Sequence, residues 1–274
     1  MRKNLLKSLV AGAAILAASA SANAYVINIG GTDYTFDSID WSSGGSAWSA
    51  DYRKADGSRA DVGHTFNMSF QSAAAALLLG NQTVYTFDAS SPFELTLFAS
   101  LNETVVNETT FSTITTQYFN LNYGSWTVRQ DAAKNADLST GFGIADGNIV
   151  LSGTFNPGFS GQFALNNGVT GQGSETLEGV VTITAPGFMT PTPVGTTAGT
   201  ELRFGNAANG VGWTAPVSFS NGSDAGVIDA SAGFNPNNQL LLQADGSQGF
   251  IPEPASMALV GLGLAGMAAV RRRK

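Results

Sequence analysis

Apolar and polar side chains alternate with a period of two residues in many segments between residues 25 and 249. In His64–Phe70, for example, Phe66, Met68 and Phe70 are separated by polar residues. Successive side chains of a β-strand point to opposite faces of its sheet, so this period predicts half-buried strands. The same period recurs in a longer apolar row, which comprises Phe93, Leu95, Leu97, Ala99 and Leu101. A chain with this pattern is constrained to bury its apolar residues between sheets.

Turn signals divide these runs. The dipeptides that favour tight turns between antiparallel strands are Asp56-Gly57, Asp146-Gly147, Asn167-Gly168, Asn221-Gly222 and Asp245-Gly246. We also predict a turn at Asn107-Glu108, after a long strand from Phe93 to Val106. Shorter strands are predicted at Ile149–Leu151, Val180–Thr184, Leu202–Phe204 and Leu240–Leu242. Only Ser72–Leu79 has a helical composition. The sequence therefore predicts an all-β body, an antiparallel β-sandwich or a jelly roll, with any helices at its periphery.

The segment Ala185–Thr200 interrupts this pattern, since it holds three of the nine prolines and several glycines. It is either a long loop within one domain or a boundary between two small β units. A second break is predicted near Gln243–Pro254. There a Gly- and Pro-rich stretch is expected to form a mobile linker between the β-body and the C-terminal segment.

Composition and charge exclude several classes of protein. Only 12% of the 274 residues are charged, about half the usual fraction of roughly 25%, which is the composition of an exported protein. The absence of Cys excludes disulfides, Cys-ligated metals and cysteine nucleophiles, and the single His excludes any site that needs two imidazoles. Between Tyr25 and Ile251, six basic residues oppose 19 acidic ones, a net charge of −13. Nucleic acid is therefore not expected as a partner.

The N-terminus has the three parts of a secretory signal peptide in their usual order. Arg2, Lys3 and Lys7 supply the positive charge, and the apolar stretch Leu9–Ala18 follows. Ala22 and Ala24 are the small residues that signal peptidase accepts. We therefore predict that residues 1–24 are a signal peptide, cleaved before Tyr25, and that the body lies outside the cytoplasm.

The C-terminus also has three parts. Pro252, Glu253 and Pro254 form a rigid break, Ala255–Val270 is apolar apart from Ser256, and the basic cluster Arg271, Arg272, Arg273 and Lys274 ends the chain. Sixteen helical residues span roughly 24 Å, short of a hydrocarbon core of about 30 Å. With some thinning of the bilayer, the segment predicts a single transmembrane helix whose basic tail is cytoplasmic.

This ending resembles the PEP-CTERM sorting signal of Gram-negative bacteria. The matching features are Pro252-Glu253-Pro254, the apolar segment SMALVGLGLAGMAAV and the cluster Arg271–Lys274. The resemblance covers residues 250–274, about a tenth of the chain, and leaves residues 25–249 as the extracytoplasmic β-rich domain. It implies recognition by an exosortase, a membrane-embedded cysteine transpeptidase-like enzyme. That enzyme would remove the tail near the Pro-Glu-Pro motif and pass the body to the envelope or outside. The alternative is a permanent single-span anchor.

Candidate catalytic and metal-binding residues are few. His64 could serve as the base of a Ser–His–acid triad, but the chain has no Gly-x-Ser-x-Gly elbow. Asp51, Asp56 and Asp61 share one loop with Arg53, Lys54 and Arg59, so a solvated turn with local ion pairs is favoured over a calcium site. The carboxylates available for glycoside hydrolysis, expected on solvent faces of strands, are Glu94, Glu103, Glu108, Glu175, Glu178 and Glu201. We predict no catalytic residue, no metal site and no cofactor.

Four tryptophans offer a different chemistry, because an aromatic ring can stack on the apolar face of a sugar. They are Trp41, Trp48, Trp126 and Trp213. Trp41 and Trp48 lie in the Ser/Gly-rich segment WSSGGSAW, whose composition predicts a loop. Packing in the core is nevertheless the commoner role of tryptophans in a small β-domain.

These observations favour an exported structural protein of the cell surface or of a biofilm and exopolysaccharide matrix, processed by an exosortase-like enzyme. The alternative is a carbohydrate-binding β-sandwich module of the same compartment, and a secreted glycoside hydrolase is a third reading. The implied partners are signal peptidase, the exosortase, exopolysaccharide and, before processing, the inner membrane.

A chain without Cys cannot depend on disulfides, so its stability must come from packing and hydrogen bonds. We expect its Tm to be the same with and without dithiothreitol in a thermal unfolding experiment. A clear decrease of the Tm in the reductant would contradict this expectation.

Overall fold

A computed structural model describes residues 24–49, 51–52, 54, 56, 58, 60–166, 170–206, 218–220, 227–229 and 240–251. All regular secondary structure in these residues is β-strand, which confirms the predicted all-β class. The strands are β1 (Tyr25–Ile29), β2 (Thr32–Phe36), β3 (Ser38–Ser49), β4 (Thr65–Leu79), β5 (Gln82–Thr86), β6 (Glu94–Phe111), β7 (Ile114–Asp131), β8 (Asn148–Phe155), β9 (Gly158–Asn166), β10 (Thr170–Thr184), β11 (Thr197–Asn206), β12 (Ser218–Ser220), β13 (Val227–Asp229) and β14 (Leu240–Ile251).

Ten of these strands form one antiparallel sheet. From β3, neighbouring strands of the sheet follow the order of the chain through β4, β6, β7 and β8 to β10 and β11, which is a meander. The last strand, β14, lies between β11 and β3. The strands β8 and β9 lie end to end between β7 and β10. Because β10 pairs with β11 and β14 pairs with β3, the sheet closes on itself around a sandwich-like core. A jelly roll requires Greek-key connections, and the meander from β3 to β11 has none, so the structure supports the sandwich-like body and not the jelly roll.

The last strand is paired on both sides. Ile251 lies opposite Thr197 of β11, and Leu240 lies opposite Ser49 of β3. The mobile linker predicted near Gln243–Pro254 is therefore wrong as far as Ile251. Asp245-Gly246 is not a turn either, because it lies within β14 at a register shift between Ala244 and Gly246. Tertiary pairing overrides the local turn preference of this dipeptide.

The core is a continuous cluster of inward-facing residues from most strands. Phe250 illustrates how the strand ends are fixed, since its ring meets those of Tyr25 and Phe36 edge-on, at centroid distances of 6.0 and 6.4 Å. The hairpin of β1 and β2 is thereby packed against the end of β14. Such edge-to-face pairs contribute about 0.5–1.5 kcal/mol beyond the burial of their area.

The helical composition of Ser72–Leu79 is overridden by the sheet. These residues end β4, which pairs with β3 on one side and with β6 and then β5 on the other. Helix propensity amounts to tenths of a kcal/mol per residue, so two flanking strands decide the outcome. Ala76 and Leu77 are both buried as a result.

The hairpin of β6 and β7 is longer than predicted. Both strands have 18 residues, and the chain turns at Ser112-Thr113 instead of Asn107-Glu108. A register shift between Val105 and Asn107 leaves Val106 as a bulge, and the predicted turn residues Asn107 and Glu108 pair with Tyr118 and Gln117 of β7. Ser112 adopts the positive φ of 56° that this tight turn requires.

The segment Ala185–Thr200 contains a loop between two paired strands of one sheet. Val180 of β10 lies opposite Thr197 of β11 at its base, and Thr190 bridges to Val26 of β1. Residues 185–196 are therefore a loop that joins neighbouring strands of one sheet, and the remaining residues of the segment belong to β11.

Substitutions of two adjacent residues at the end of β14 test whether this segment is a strand of the core or a linker. Phe250 is 2% exposed and Ile251 is 57% exposed. We expect Phe250→Ala to lower the free energy of unfolding by about 3–5 kcal/mol, because it leaves a cavity among aromatic rings. The matched control Ile251→Ala should change it by less than about 1 kcal/mol. Equal effects in urea denaturation would show that β14 does not hold this end of the core.

Candidate functional site

Two glutamates meet inside the closed sheet. Glu103 of β6 is fully buried and Glu175 of β10 is 3% exposed. Their carboxyl groups are neighbours, and each perturbs the pKa of the other. Ser160 of β9 donates its hydroxyl to Glu103 Oε1 over 2.5 Å. Among the described residues, the Oε2 atom of each glutamate has no hydrogen-bond partner.

Burial and mutual repulsion set the protonation of this pair. Burial raises the pKa of the Glu103 carboxyl, while its hydrogen bonds from Ser160 and Glu175 act in the opposite direction. The pKa of Glu175 is raised well above its usual range, by burial first and then by the charge of Glu103. Two carboxylates in contact cannot both ionise in the interior of a protein. Glu175 is therefore the group that retains a proton.

The sequence carried a signal for both residues. Glu103 continues the inward row of Leu97, Ala99 and Leu101, and Glu175 lies two residues before the inward Leu177. The prediction that the glutamates lie on solvent faces is wrong for these two, because their position in the alternation of the strand, and not their residue type, decides which way they face. Of the six candidate glutamates, these two are the ones buried in the core of the described residues, and neither is accessible to a polymeric substrate.

Trp41, Trp48 and Trp126 lie in strands, so the loop predicted around Trp41 and Trp48 is wrong. Trp41 and Trp126 are each 1% exposed, so the prediction that they stack on sugars is wrong. Trp126 packs over Gly153, where an added Cβ would lie 2.4 Å from its ring. The segment WSSGGSAW is part of β3, although it contains register shifts. Trp48 is half-buried, and Trp213 lies outside the described residues.

Outside the core, asparagine side chains form a network across three strands. Asn102 of β6 donates to Asn67 Oδ1 of β4 over 2.9 Å and accepts from Asn122 Nδ2 of β7 over 2.9 Å. Asn122 Nδ2 also lies 2.9 Å from Thr104 Oγ1, which lies 2.8 Å from Thr65 Oγ1. These bonds hold polar side chains at fixed positions on the outer surface of the sheet.

An exposed aromatic residue lies beside this network. Tyr123 of β7 is 64% exposed and lies opposite Asn102. Glu103 pairs with Leu121, so Asn122 is an extra residue in β7 at this point. Before this bulge Leu121 faces inward, and after it the next inward residue is Gly124. Tyr123 therefore faces outward. The burial of Trp126 agrees with this phase, because Tyr123 lies an odd number of residues before it and so faces the opposite side.

Trp48 borders the same surface. It lies opposite Ser69 of β4, Ser69 lies opposite Ser100 of β6, and Ser100 lies opposite Ser125 of β7. Its neighbour Ala47 pairs with the inward Phe70, so Trp48 faces outward. We call the outward side chains of residues 65–69, 100–104 and 120–125, together with Trp48, the serine–asparagine face.

The aspartates before β4 are engaged by their own loop and by the first residues of β4. Asp61 forms an ion pair with Lys54, and Asp56 accepts the backbone N–H of Ser58 over 2.8 Å. Asp51 accepts two hydrogen bonds from Asn67 at 2.9 Å, and its backbone carbonyl lies 2.7 Å from His64 Nε2. Of the predicted local ion pairs, the structure shows the one between Lys54 and Asp61, and Arg53 and Arg59 lie outside the described residues. Nowhere in the described ranges do three or more His, Asp or Glu residues form a group that could hold a metal ion.

A shallow charged pocket lies on the outer face of β3, β14 and β11. Its volume is about 140 Å³, and its charged lining comprises Asp40, Glu201, Arg203 and Asp245. Partial burial, and then the charge of Asp245, raise the pKa of Asp40. The pocket combines acidic groups with a guanidinium, and it contrasts with the uncharged serine–asparagine face.

The predicted terminal signals fall almost entirely outside the described residues. These include Ala22, the motif Pro252-Glu253-Pro254, the helix Ala255–Val270 and the basic tail Arg271–Lys274. Ala24 precedes β1, and Tyr25, the residue after the predicted cleavage site, is its buried first residue. Within the described part of the chain, no helix is long and apolar enough to cross a membrane.

Residues 250–274 match the family model of the PEP-CTERM protein-sorting motif. This confirms the resemblance that the C-terminal sequence indicated. The motif implies an exported protein that is targeted to an exosortase and located at the cell envelope or surface. No curated protein and no solved structure matches the chain. The matched segment begins at Phe250, within β14.

The glutamate pair predicts how stability depends on pH. A carboxyl whose pKa is raised by folding stabilises the fold fully below its unfolded pKa of about 4.3, and this contribution is lost as pH rises through the folded pKa. Glu175→Gln keeps the shape and removes one titrating group. We expect the free energy of unfolding of the wild type to decrease with rising pH, relative to that of Glu175→Gln.

Urea denaturation at several pH values above about 4 measures this difference. The control is Glu178→Gln, which changes an exposed glutamate of the same strand and should follow the wild type. Identical pH dependence of the wild type and Glu175→Gln would contradict a shared proton in the core.

Proposed function

We propose that this protein is a non-enzymatic structural component of the cell surface or of an exopolysaccharide and biofilm matrix. The observation that carries the proposal is the PEP-CTERM match at residues 250–274, which directly continues the closing strand β14. On this proposal signal peptidase removes residues 1–24, and the helix Ala255–Val270 then holds the exported body at the inner membrane. An exosortase-like enzyme finally releases the body near Pro252-Glu253-Pro254.

Closure of the sheet supports a role outside the cell. A sheet whose edge strands pair with each other leaves fewer free backbone groups for unintended pairing with other chains. The body between Tyr25 and Ile251 has a net charge of −13 and no Cys. Its solubility and its independence from redox conditions suit an extracellular matrix.

The burial of the glutamate pair supports the absence of catalysis. A glycosidase needs two carboxyl groups on either side of a scissile bond, in contact with the substrate and with water. Glu103 and Glu175 instead contact each other and Ser160 inside the core. His64 is placed by the backbone carbonyl of Asp51, 2.7 Å from its Nε2 atom. A secreted hydrolase is therefore the weakest of the three hypotheses.

A carbohydrate-binding module of the same compartment is the second candidate. Trp41 and Trp126 no longer support it, because both are buried. The observation that favours it is the exposed Tyr123 beside the asparagine network. A matrix protein with such a surface would combine both functions.

Processing distinguishes a sorted protein from a permanently anchored one. In the native host, we expect the mature protein to begin at Tyr25 and to lack the residues beyond about Pro254. Replacing Pro252, Glu253 and Pro254 by Ala should leave export intact and trap the uncleaved form in the inner membrane, because the helix and the basic tail remain. Mass spectrometry of the matrix and inner-membrane fractions measures both outcomes.

The N-terminal peptide is the internal control, since it should begin at Tyr25 in both proteins if export is unaffected. Recovery of wild-type protein from the matrix with Arg271–Lys274 still attached would contradict exosortase processing. Recovery of the wild type only from the inner membrane would instead indicate a permanent anchor.

A further inference from the structure

We propose that the serine–asparagine face binds a neutral polysaccharide chain, with Tyr123 and Trp48 as its two aromatic platforms. The inference deepens the matrix role proposed above and rests on it. It assigns the contact between protein and matrix to one surface of the sheet.

The charge distribution identifies the class of ligand. The outward side chains of residues 65–69, 100–104 and 120–125 carry only hydroxyl, amide and phenol groups, because Glu103 points into the core. The nearest carboxylate, Asp51, is engaged by two hydrogen bonds from Asn67. The body as a whole has a net charge of −13, so it repels an anionic polymer. A neutral, hydroxyl-rich polymer fits a face whose own side chains offer hydrogen bonds and carry no charge.

The polar groups of this face are fixed before any ligand arrives. The chain of bonds from Asn67 through Asn102 to Asn122 crosses three strands with distances of 2.9 Å. Thr104 connects Asn122 to Thr65 at the next row. Side chains that are already ordered lose little conformational entropy on binding. A flat polysaccharide can therefore form several weak hydrogen bonds without first ordering the surface.

The two aromatic residues lie at opposite margins of the face. Trp48 belongs to β3 and Tyr123 to β7, and the strands β4 and β6 lie between them. Three strand spacings of about 4.8 Å separate the two side chains across the sheet. The rows between them contain Ser69, Ser100 and Asn102. Aromatic rings at both margins and hydroxyl groups between them suit an extended chain better than a single sugar.

The test uses the full chain, exported in a Gram-negative host and purified in a detergent that contains no sugar. The probes are a soluble β-glucan, a soluble α-glucan and a galactomannan as neutral polymers, with alginate as the anionic comparison. Isothermal titration measures binding. We expect the wild type to bind at least one neutral polymer and to bind alginate more weakly.

The variants place the binding on the proposed face. Tyr123→Ala should weaken binding about five- to tenfold, the effect of losing one aromatic contact of about 1 kcal/mol or slightly more. Tyr123→Phe should bind like the wild type, because the ring carries the contact. Phe111→Ala is the matched control, since Phe111 is 85% exposed at the tip of the β6–β7 hairpin, away from the face. Trp48→Ala should also weaken binding, and its Tm is compared with the wild type because Trp48 is half-buried.

Three results would overturn the proposal. They are the absence of binding to every neutral probe, equally tight binding of alginate, and wild-type affinity in Tyr123→Ala. None of them affects the proposed sorting, because the location of the protein is measured separately. A protein found in the matrix that fails these tests would keep the structural role and lose this binding site. A protein that is retained in the inner membrane but passes these tests would keep the binding site and lose the proposed role in the matrix.

Discussion

The pairing of β14 with both β11 and β3 is the constraint on which the rest of the structure depends. It brings together residues that are far apart in the sequence, as in the hydrogen bond of 2.8 Å from Gln243 Nε2 to the Ser43 carbonyl oxygen. The same strand carries Phe250, whose ring meets Tyr25 of β1 and Phe36 of β2. Without β14, the edges of β3 and β11 would be open and the N-terminal hairpin would lose part of its packing.

This closure has a consequence for a chain that ends in a sorting motif. The match to that motif begins at Phe250, so the last core residue and the first matched residue are the same. The sheet can close only when the C-terminal part of the body has reached the compartment where it folds. Processing at the Pro-Glu-Pro motif would leave β14 in the body, whereas cleavage before Phe250 would remove a core residue. The fold therefore limits where the tail can be cut.

Because side chains alternate along each strand, the closed sheet has a buried carboxyl pair on its inside and an uncharged polar network on its outside. Within β6, odd-numbered residues from Leu95 to Val105 face the core, and Glu103 is carried inward with them. The even-numbered residues Ser100, Asn102 and Thr104 lie on the outside, where the asparagine network forms. A buried carboxyl pair costs desolvation energy and is tolerated only with a shared proton and hydrogen bonds. The outer face avoids most of this cost, since its groups are uncharged and the nearly buried Asn102 has hydrogen-bond partners on both sides.

The sequence alone determined the all-β class, because a period of two residues is a local property that each segment carries by itself. It also determined the sorting motif, whose residues are contiguous at positions 250–274. Local signals failed where pairing partners decided the result. The Ala-rich end of β4 is a strand because β3 and β6 flank it, and Asp245-Gly246 is a bulge because β14 continues through it.

The candidate sites were decided by tertiary structure for the same reason. The position of Glu103 in the period predicts that it faces inward, but only the closure of the sheet places it against Glu175 of β10. Trp41 and Trp126 were candidates by residue type, and their strands direct them into the core. Tyr123 reached the surface through one extra residue in β7, a change of phase that depends on its pairing with β6. Alternation along one strand is written in the sequence, whereas register and closure depend on partners that are distant along the chain.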